Sequence, residues 1–349
     1  MKKYLKGFAL LVAMIMVFSV FAVGCSQKAE NAPASPELKQ EAPKEEPKKE
    51  EVKKGTDWPT KTIQFIVPFK PGGDTDFNAR VYAKYLEKEL GQPIVVVNVD
   101  GNSGALGSRK VKDSKPDGYT VLFYHSAMQV NELTGMVDYG FKDLDLACIA
   151  GKNAGDIFTV RADSPYKTLK DLVEASQKEP GKIKMAAGLG ATTHLTSIML
   201  NDAGAKLNIV DAGSSTDRTS MLLGGHVDVV PNPYGVVKPY LESGDFRALG
   251  VNHSKRNPQF QDIPTALEQG YDSVLESVYF FEFPKGTDPQ IIEKLSKAVG
   301  KIAANNAEYA EEITKFNQAP FYLDKKEATD FLNAQRDTFF KYKDQIGAK

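Results

Sequence analysis

The chain has 349 residues, of which 42% are hydrophobic, and a formal net charge of −1. A chain of this length can bury one large core or two medium-sized ones. This net charge gives no electrostatic case for a nucleic-acid partner, which usually requires a basic stripe or patch, so we expect none. The two cysteines, Cys25 and Cys148, are too few for a structural zinc cluster and form no CxxC pair. The four histidines are far apart and lack metal-ligand spacing, so we expect neither a metal nor a cofactor.

Residues 1–24 have the pattern of an export signal. Three lysines in residues 1–6 precede a nearly unbroken apolar run at residues 8–23. The sequence AVGC at residues 22–25 resembles the lipobox of lipoprotein signals, which implies cleavage before Cys25 and lipidation of that cysteine. An uncleaved membrane anchor is the alternative, although the run is short for a spanning helix.

Residues 25–57 are predicted to form a disordered tether behind the lipidated cysteine. Four prolines lie among many lysines and glutamates, with almost no large apolar side chains. Too little apolar surface is available to offset the entropy of ordering such a segment. Because both charge signs are mixed, a solvated spacer is favoured over a polybasic lipid-binding segment.

The stretch IQFIVPFKPGGDTDFNAR, residues 63–80, predicts a strand, a turn and the start of a helix. Helical apolar periodicity begins at Phe77, and three residues before it offer N-cap side chains: Asp74, Thr75 and Asp76. Unpaired amides and the positive end of the helix dipole would favour a carboxylate or phosphate beside Gly72 and Gly73, without any cationic side chain. An ordinary strand-to-helix connection is the alternative.

A second turn of this kind is predicted after a strand at residues 183–187. A loop of small residues follows, and one of two threonines is expected to cap the next helix. This turn again offers backbone amides to an anion. The residues assigned to it are Gly190, Ala191, Thr192, Thr193 and His194. We expect His194 to shape the site more than to touch a ligand.

The run IVPFKPGGDTDFNAR resembles the opening motif, IVPFxPGGxxDxxAR, of the substrate-binding receptors of tripartite tricarboxylate transporters. Further matches follow in the same order, including PDGYT at residues 116–120, LLGGHVD at residues 222–228 and IPTALEQG at residues 263–270. The likeness extends from Trp58 to the C-terminus. It implies an extracytoplasmic, lipid-anchored receptor that captures a small carboxylate and delivers it to membrane permease subunits.

The fold implied is α/β and two-lobed, of the periplasmic-binding-protein type II class, with the ligand cleft between the lobes. Two anion-binding turns far apart in sequence agree with lobes that close on one ligand. The first lobe is expected at residues 58–155 and 272–349, and the second at residues 156–271. We expect the receptor to act as a monomer.

Other residues are assigned to the cleft from their place at predicted strand ends. Ligands gather at the carboxyl ends of strands in open α/β sheets, so Ser126 and Asn232 are expected to line it. Phe69, beside the first turn, is assigned to the same site. Whether His125 touches the ligand is open at this point.

Asp211 lies where the resembled family has a VPYKG segment. An acidic residue beside an anion site suits a ligand that also carries a donor or cationic group. A solvated loop aspartate is the alternative, so the sequence leaves both interpretations open.

An enzyme is not favoured, because neither an HExxH nor a GxSxG motif occurs. A hydrolase could still assemble Ser126, a histidine and an aspartate in space. The main interpretation remains a carboxylate receptor. The alternative is a receptor of the same fold for an amino acid or a phosphate-like ligand, serving another importer or a sensor.

Overall fold

The computed structural model describes residues 56–347. The predicted signal peptide, Cys25 and nearly all of the predicted tether lie outside these residues. Within the described part, no helix is both long enough and apolar enough to cross a bilayer.

Strands and helices alternate along residues 56–347. The strands are β1 (Ile63–Val67), β2 (Ile94–Asn98), β3 (Thr120–His125), β4 (Asp145–Lys152), β5 (Asp156–Arg161), β6 (Lys184–Ala187), β7 (Asn208–Asp211), β8 (Val230–Pro233), β9 (Phe246–Val251) and β10 (Val278–Phe283). The α-helices are α1 (Asp74–Leu90), α2 (Ala105–Lys112), α3 (Ala127–Leu133), α4 (Leu169–Lys178), α5 (Thr192–Asp202), α6 (Ser215–Leu223), α7 (Tyr234–Glu242), α8 (Pro289–Asn305), α9 (Ala307–Thr314) and α10 (Lys325–Phe339).

The first lobe is built on a five-stranded sheet of order β2-β1-β3-β10-β4. β1 pairs in parallel with β2 and β3, whereas β10 runs antiparallel to β3 and β4. Alternate residues of a strand point to opposite faces, so Phe65 packs in a core with α1 and α8 while Ile66 packs with α2, α3 and α10. Both side chains are fully buried, and each such burial contributes about 1.5–3 kcal/mol.

The second lobe repeats this arrangement on a smaller scale. A three-stranded sheet of order β8-β5-β9 lies beside the parallel pair β6-β7. A bridge between Met185 and Val229 joins the two, which gives the order β7-β6-β8-β5-β9. β5 is antiparallel to both of its neighbours, as β10 is in the first lobe.

Two segments cross between the lobes, at residues 153–155 and within residues 252–277. They are held together by a hydrogen bond from Asn153 N to Ser277 O of 2.8 Å and one from Asp156 N to Asn252 Oδ1 of 2.6 Å. Paired crossings of this kind can act as a hinge for lobe closure. The predicted lobe boundaries fall in these two segments and stay a prediction.

The predicted caps of α1 and α5 were wrong. α1 begins at Asp74 behind Gly73, and α5 begins at Thr192 behind Ala191, and neither N-cap residue provides a side-chain cap. The physical reason is that the predicted caps are already inside the helices, where Asp76 Oδ2 accepts from Gly72 N and Thr193 Oγ1 accepts from Gly188 N. The first amides of both helices are therefore left without a capping side chain.

Candidate functional site

One cavity between the lobes is lined by the starts of three helices. The residues concerned are Gly73, Asp74 and Thr75 of α1, Ala191, Thr192 and Thr193 of α5, and Gly213, Ser214 and Ser215 of α6. The first amides of a helix have no acceptor within that helix. Together with the positive ends of the dipoles, they make the cavity suited to negative groups.

Arg218 provides a buried cation in this cavity, which the sequence analysis did not identify. The residue is 5% exposed, and its Nε donates to Asn232 Oδ1 while its Nη1 donates to Gly213 O, both at 2.8 Å. Asn232 is itself held, because its Nδ2 donates to Ser215 O and to Thr219 Oγ1. These contacts fix the guanidinium in place.

The charge of Arg218 persists despite its burial. Burial lowers the pKa of the guanidinium below its usual value, while the nearby Asp156 and Asp74 act in the opposite direction. Because an arginine begins from a pKa above 12, it stays protonated at neutral pH. Within residues 56–347, its Nη2 takes part in no hydrogen bond, so this group remains for a ligand.

Two carboxylates line the same cavity. Asp74 Oδ2 accepts from the Tyr279 hydroxyl at 2.7 Å, and Asp156 Oδ1 accepts from Asn153 Nδ2 at 3.2 Å. Burial raises the pKa of Asp156 to about 6, the Arg218 charge lowers it, and the Asp74 charge raises it. At neutral pH most molecules therefore carry an ionised Asp156, and the cavity contains charges of both signs.

His125 also lines the cavity, so the structure places it at the candidate site. Its ring stacks on Phe69 with centroids 5.0 Å apart. Burial lowers the pKa of His125 to about 4; the Asp74 charge opposes this shift and the Arg218 charge assists it. The ring is therefore neutral at pH 7. Nδ1 accepts from Ala127 N at 3.1 Å, which assigns the proton to Nε2 as a neutral donor.

The structure brings half of the sequence-predicted residues to the cavity. Those that line it are Phe69, Gly73, Asp74, Thr75, Ala191, Thr192 and Thr193. Those outside the lining are Gly72, Asp76, Ser126, Gly190, His194, Asp211 and Asn232. The first set comes from two predicted turns, whose pairing across the cleft depends on the tertiary fold.

In the first lobe, the residues outside the lining support it from behind. Asp76 accepts from Gly72 N at 3.0 Å and pairs with Arg80, which holds the glycine turn against α1. Ser126 is fully buried, and its Oγ accepts from Val278 N at 3.1 Å. Ser126 was expected to contact the ligand. In the structure it instead joins the end of β3 to β10 by this hydrogen bond.

In the second lobe, the residues outside the lining also have structural partners. His194 Nδ1 accepts from Gly190 N at 3.3 Å, which shapes the loop before α5. Asn232 is fully buried and orients Arg218. Asp211 is exposed at the end of β7, and its Oδ1 accepts from Leu189 N at 3.1 Å. The acidic groups that line the cavity are Asp74 and Asp156.

Several lining residues were not predicted from the sequence. Some of them follow a recognisable sequence pattern, whereas others do not. The N-terminus of α6 carries a capping box in which Ser214 accepts from Asp217 N, and this pattern after a strand and Gly213 could have located a third helix start. Arg218 follows within the first turn. Asp156 had no comparable local pattern, because its importance comes from its place at the lobe crossing.

Side-chain hydrogen bonds cross the cleft between the lobes. Lys70 Nζ donates to the two Asp217 oxygens at 2.8 and 3.0 Å, and Asn131 Nδ2 donates to Gly190 O at 2.7 Å. The cavity measures about 30 Å³, room for about two or three water molecules. This conformation is therefore nearly closed, and a ligand of several heavy atoms enters only when the lobes separate.

Comparisons with known proteins place the chain in a family. Residues 78–346 match the model described as the tripartite tricarboxylate transporter family receptor. A UPF0065 protein in the gbd 5' region of Cupriavidus necator is 34% identical over 281 residues, covering 78% of this chain and 84% of that protein. Protein BugT of Bordetella pertussis is 34% identical over 258 residues, covering 72% of this chain and 78% of that protein.

Solved structures share the fold over nearly their whole length. Periplasmic binding protein BugD is 25% identical, with a TM-score of 0.77 and coverage of 84% of this chain and 99% of that one. A Rhodopseudomonas palustris protein solved with adipate is 24% identical, with a TM-score of 0.78 over 83% of this chain and 99% of that one. MatC from Rhodopseudomonas palustris, solved with malate, is 23% identical, with a TM-score of 0.74 over 83% of this chain and 100% of that one.

These similarities confirm the predicted two-lobed α/β fold of the periplasmic-binding-protein type. The family model covers most of the chain, and the structural relatives are solute receptors. The chain belongs to the tripartite tricarboxylate transporter receptor family and is a solute-binding receptor rather than an enzyme.

Proposed function

We propose that this receptor captures a small organic acid in the cavity between its lobes and delivers it to the permease subunits of a tripartite tricarboxylate transporter. The observation that carries the proposal is the convergence of three helix starts and the buried Arg218 on one cavity. Backbone amides and a guanidinium are the donors that carboxylates prefer in proteins. The adipate and malate bound by two proteins of the same fold support a carboxylate as the ligand.

Both lobes would contribute hydrogen-bond donors to the ligand. α1 contributes its first amides from one side, whereas α5 and α6 contribute theirs from the other, together with Arg218. Closure then removes water from around the acid, and each polar contact becomes stronger in the lower dielectric. The contact between Lys70 and Asp217 bridges the cleft, so separation of the lobes would break it and the contact would favour the closed, loaded state.

The proposed cellular context comes from the N-terminal sequence. A lipid on Cys25 and a tether at residues 25–57 would hold a monomeric receptor at the outer face of the cell membrane, next to its permease. Mass spectrometry of the membrane-extracted protein tests this directly, because a terminus at Met1 would contradict cleavage and lipidation.

Ligand capture is tested by isothermal titration calorimetry and native mass spectrometry with a panel of succinate, malate, glutarate, adipate and citrate. We expect one ligand per chain, without turnover, and a loss of binding in Arg218→Met. Arg256→Met is the matched control, since Arg256 lies on the surface of the same lobe and pairs with Glu268. Undiminished binding in Arg218→Met would contradict the assigned site.

An amino acid as the ligand is favoured by one specific observation, the presence of Asp74 and Asp156 in the cavity. A fully anionic ligand such as phosphate meets two like charges there, and like charges at short range oppose binding. This second candidate is compatible with the same receptor role and is developed below.

A further inference from the structure

We propose that the acid bound in this cavity also carries an ammonium group, which Asp74 and Asp156 hold while Arg218 and the helix amides hold its carboxylate. The ligand class is then a zwitterion, of which the α-amino acids are the simplest members. This inference rests on the proposed function, and it specifies which kind of carboxylate the receptor takes.

The first argument is the balance of charge in the cavity lining. Asp74 and Asp156 contribute two negative charges and Arg218 contributes one positive charge. Lys70 at the rim is already paired with Asp217, and His125 is neutral. A dicarboxylate would add two more negative charges to a cavity with one free cation among the described lining residues, whereas a zwitterion brings a charge of each sign.

The second argument is the set of polar atoms left for a ligand. Asp74 uses Oδ2 for Tyr279, and Asp156 uses Oδ1 for Asn153. Within residues 56–347, the other oxygen of each carboxylate accepts no hydrogen bond. These two oxygens match the donors of an ammonium group, which has three N–H bonds and no acceptor.

The third argument is that Arg218 forms no ion pair with either Asp74 or Asp156 among the described residues. Among the described residues, no nitrogen of Arg218 lies within 4.0 Å of a carboxylate oxygen of Asp74 or Asp156. The guanidinium is instead held by the neutral groups of Asn232 and Gly213. A cation and two carboxylates that face one cavity without pairing leave a place for a molecule with both charges between them.

The fourth argument comes from the origin of the two carboxylates. Asp74 belongs to α1 of the first lobe, and Asp156 begins β5 at the crossing between the lobes. The two charges are close enough that Asp74 raises the pKa of Asp156. An ammonium group between them would replace this repulsion by two attractive contacts and would favour closure around the ligand.

A metal ion is a less suitable occupant than an ammonium group. Across residues 56–347, no group of three or more histidine, cysteine, aspartate and glutamate side chains is placed to hold a metal. Two carboxylates together with an arginine correspond better to an organic zwitterion, because the arginine would repel a divalent cation.

The inference is tested with pairs of acids that differ only in the amino group. We would titrate the purified full-length protein with glycine and acetate, alanine and propionate, aspartate and succinate, and glutamate and glutarate, by calorimetry. In at least one pair, the amino acid is expected to bind at least tenfold more tightly than its partner. Preference for the deamino acid, or no preference in any pair, would overturn the inference.

Variants then test the assigned residues. Asp156→Asn and Asp74→Asn are each expected to weaken the binding of the preferred amino acid at least tenfold, while leaving its deamino partner unchanged or bound more tightly. Asp211→Asn is the matched control, because Asp211 is an exposed aspartate outside the cavity, and both affinities are expected to stay unchanged. An amino-acid preference that survives in both cavity variants would overturn the assignment.

The outcomes separate this inference from the proposed function. Binding of the deamino acids alone, lost in Arg218→Met, would overturn the zwitterion and leave the carboxylate receptor intact. A folded protein, verified by circular dichroism, that binds neither member of any pair nor any acid of the earlier panel would overturn both.

Discussion

Replacing Asp156 by asparagine is expected to stabilise the ligand-free receptor at neutral pH, although the residue belongs to the candidate site. The residue is 4% exposed, and burial raises the pKa of its carboxyl from the usual 3.8 to about 6. Asparagine has nearly the same shape, and its amide oxygen can still accept from Asn153. The variant therefore removes the charge and little else.

The magnitude follows from the two pKa values. One unit corresponds to about 1.4 kcal/mol, so the shift from 3.8 to about 6 makes the ionised carboxyl cost about 3 kcal/mol of unfolding free energy at pH 7. Since the pKa is raised on folding, the folded protein binds more protons in this interval and its stability falls as the pH rises through it. Near pH 4 the carboxyl of the folded protein is protonated, so the gain from asparagine shrinks below about 1 kcal/mol.

Urea unfolding at pH 7 and pH 4 measures both quantities. The fluorescence of Trp58, the single tryptophan of the chain and a buried residue, reports the transition. Asp211→Asn is the control and is expected to show no gain at either pH, because Asp211 is exposed. An equal gain of Asp156→Asn at both pH values, or a loss at pH 7, would refute the reasoning, since the charge would then not be the cause.

The remaining predictions concern the contacts around Arg218 and across the cleft. Arg218→Met is expected to weaken ligand binding by about 2–5 kcal/mol, because a desolvated charge contact is lost. Calorimetry measures this loss, and a decrease in affinity of less than threefold would contradict the role of Arg218 in binding. Asn232→Ala removes the acceptor of Arg218 Nε and should cost about 1 kcal/mol of binding, with a melting curve confirming that the variant folds. Lys70→Met breaks a partly exposed pair with Asp217, so binding should weaken by less than about 1 kcal/mol, and high salt should abolish the difference from wild type.

The cost attached to Asp156 suggests why such a residue is present. A buried carboxyl that lowers the stability of the empty protein contributes nothing to the fold that asparagine could not supply. If an ammonium group of the ligand pairs with the Asp156 carboxylate, relief of this unfavourable burial contributes to the binding free energy. Strained or electrostatically unfavourable groups are commonly found at functional sites for this reason.

Local features of the fold were predictable from the sequence. The strand predicted at the start of residues 63–80 is β1, which occupies residues 63–67, because a β-prone run before a proline-rich turn is typical of a strand. The glycine turn and the start of a helix after it were also recognised. The start of α1 itself was misplaced, because both Gly73 and the acidic residues after it are compatible with an N-cap, and only the backbone geometry decides between them.

The sequence alone determined that two turns offer amides to an anion, because strand, glycine turn and helix follow one another within a few residues. Tertiary structure alone decided that a third helix start joins them and that Arg218, Asp74 and Asp156 face the same cavity. The physical reason is that hydrogen bonding and periodicity act over one or two helical turns. Charges from α1, β5 and α6 meet only through the sheet order and the paired crossings between the lobes.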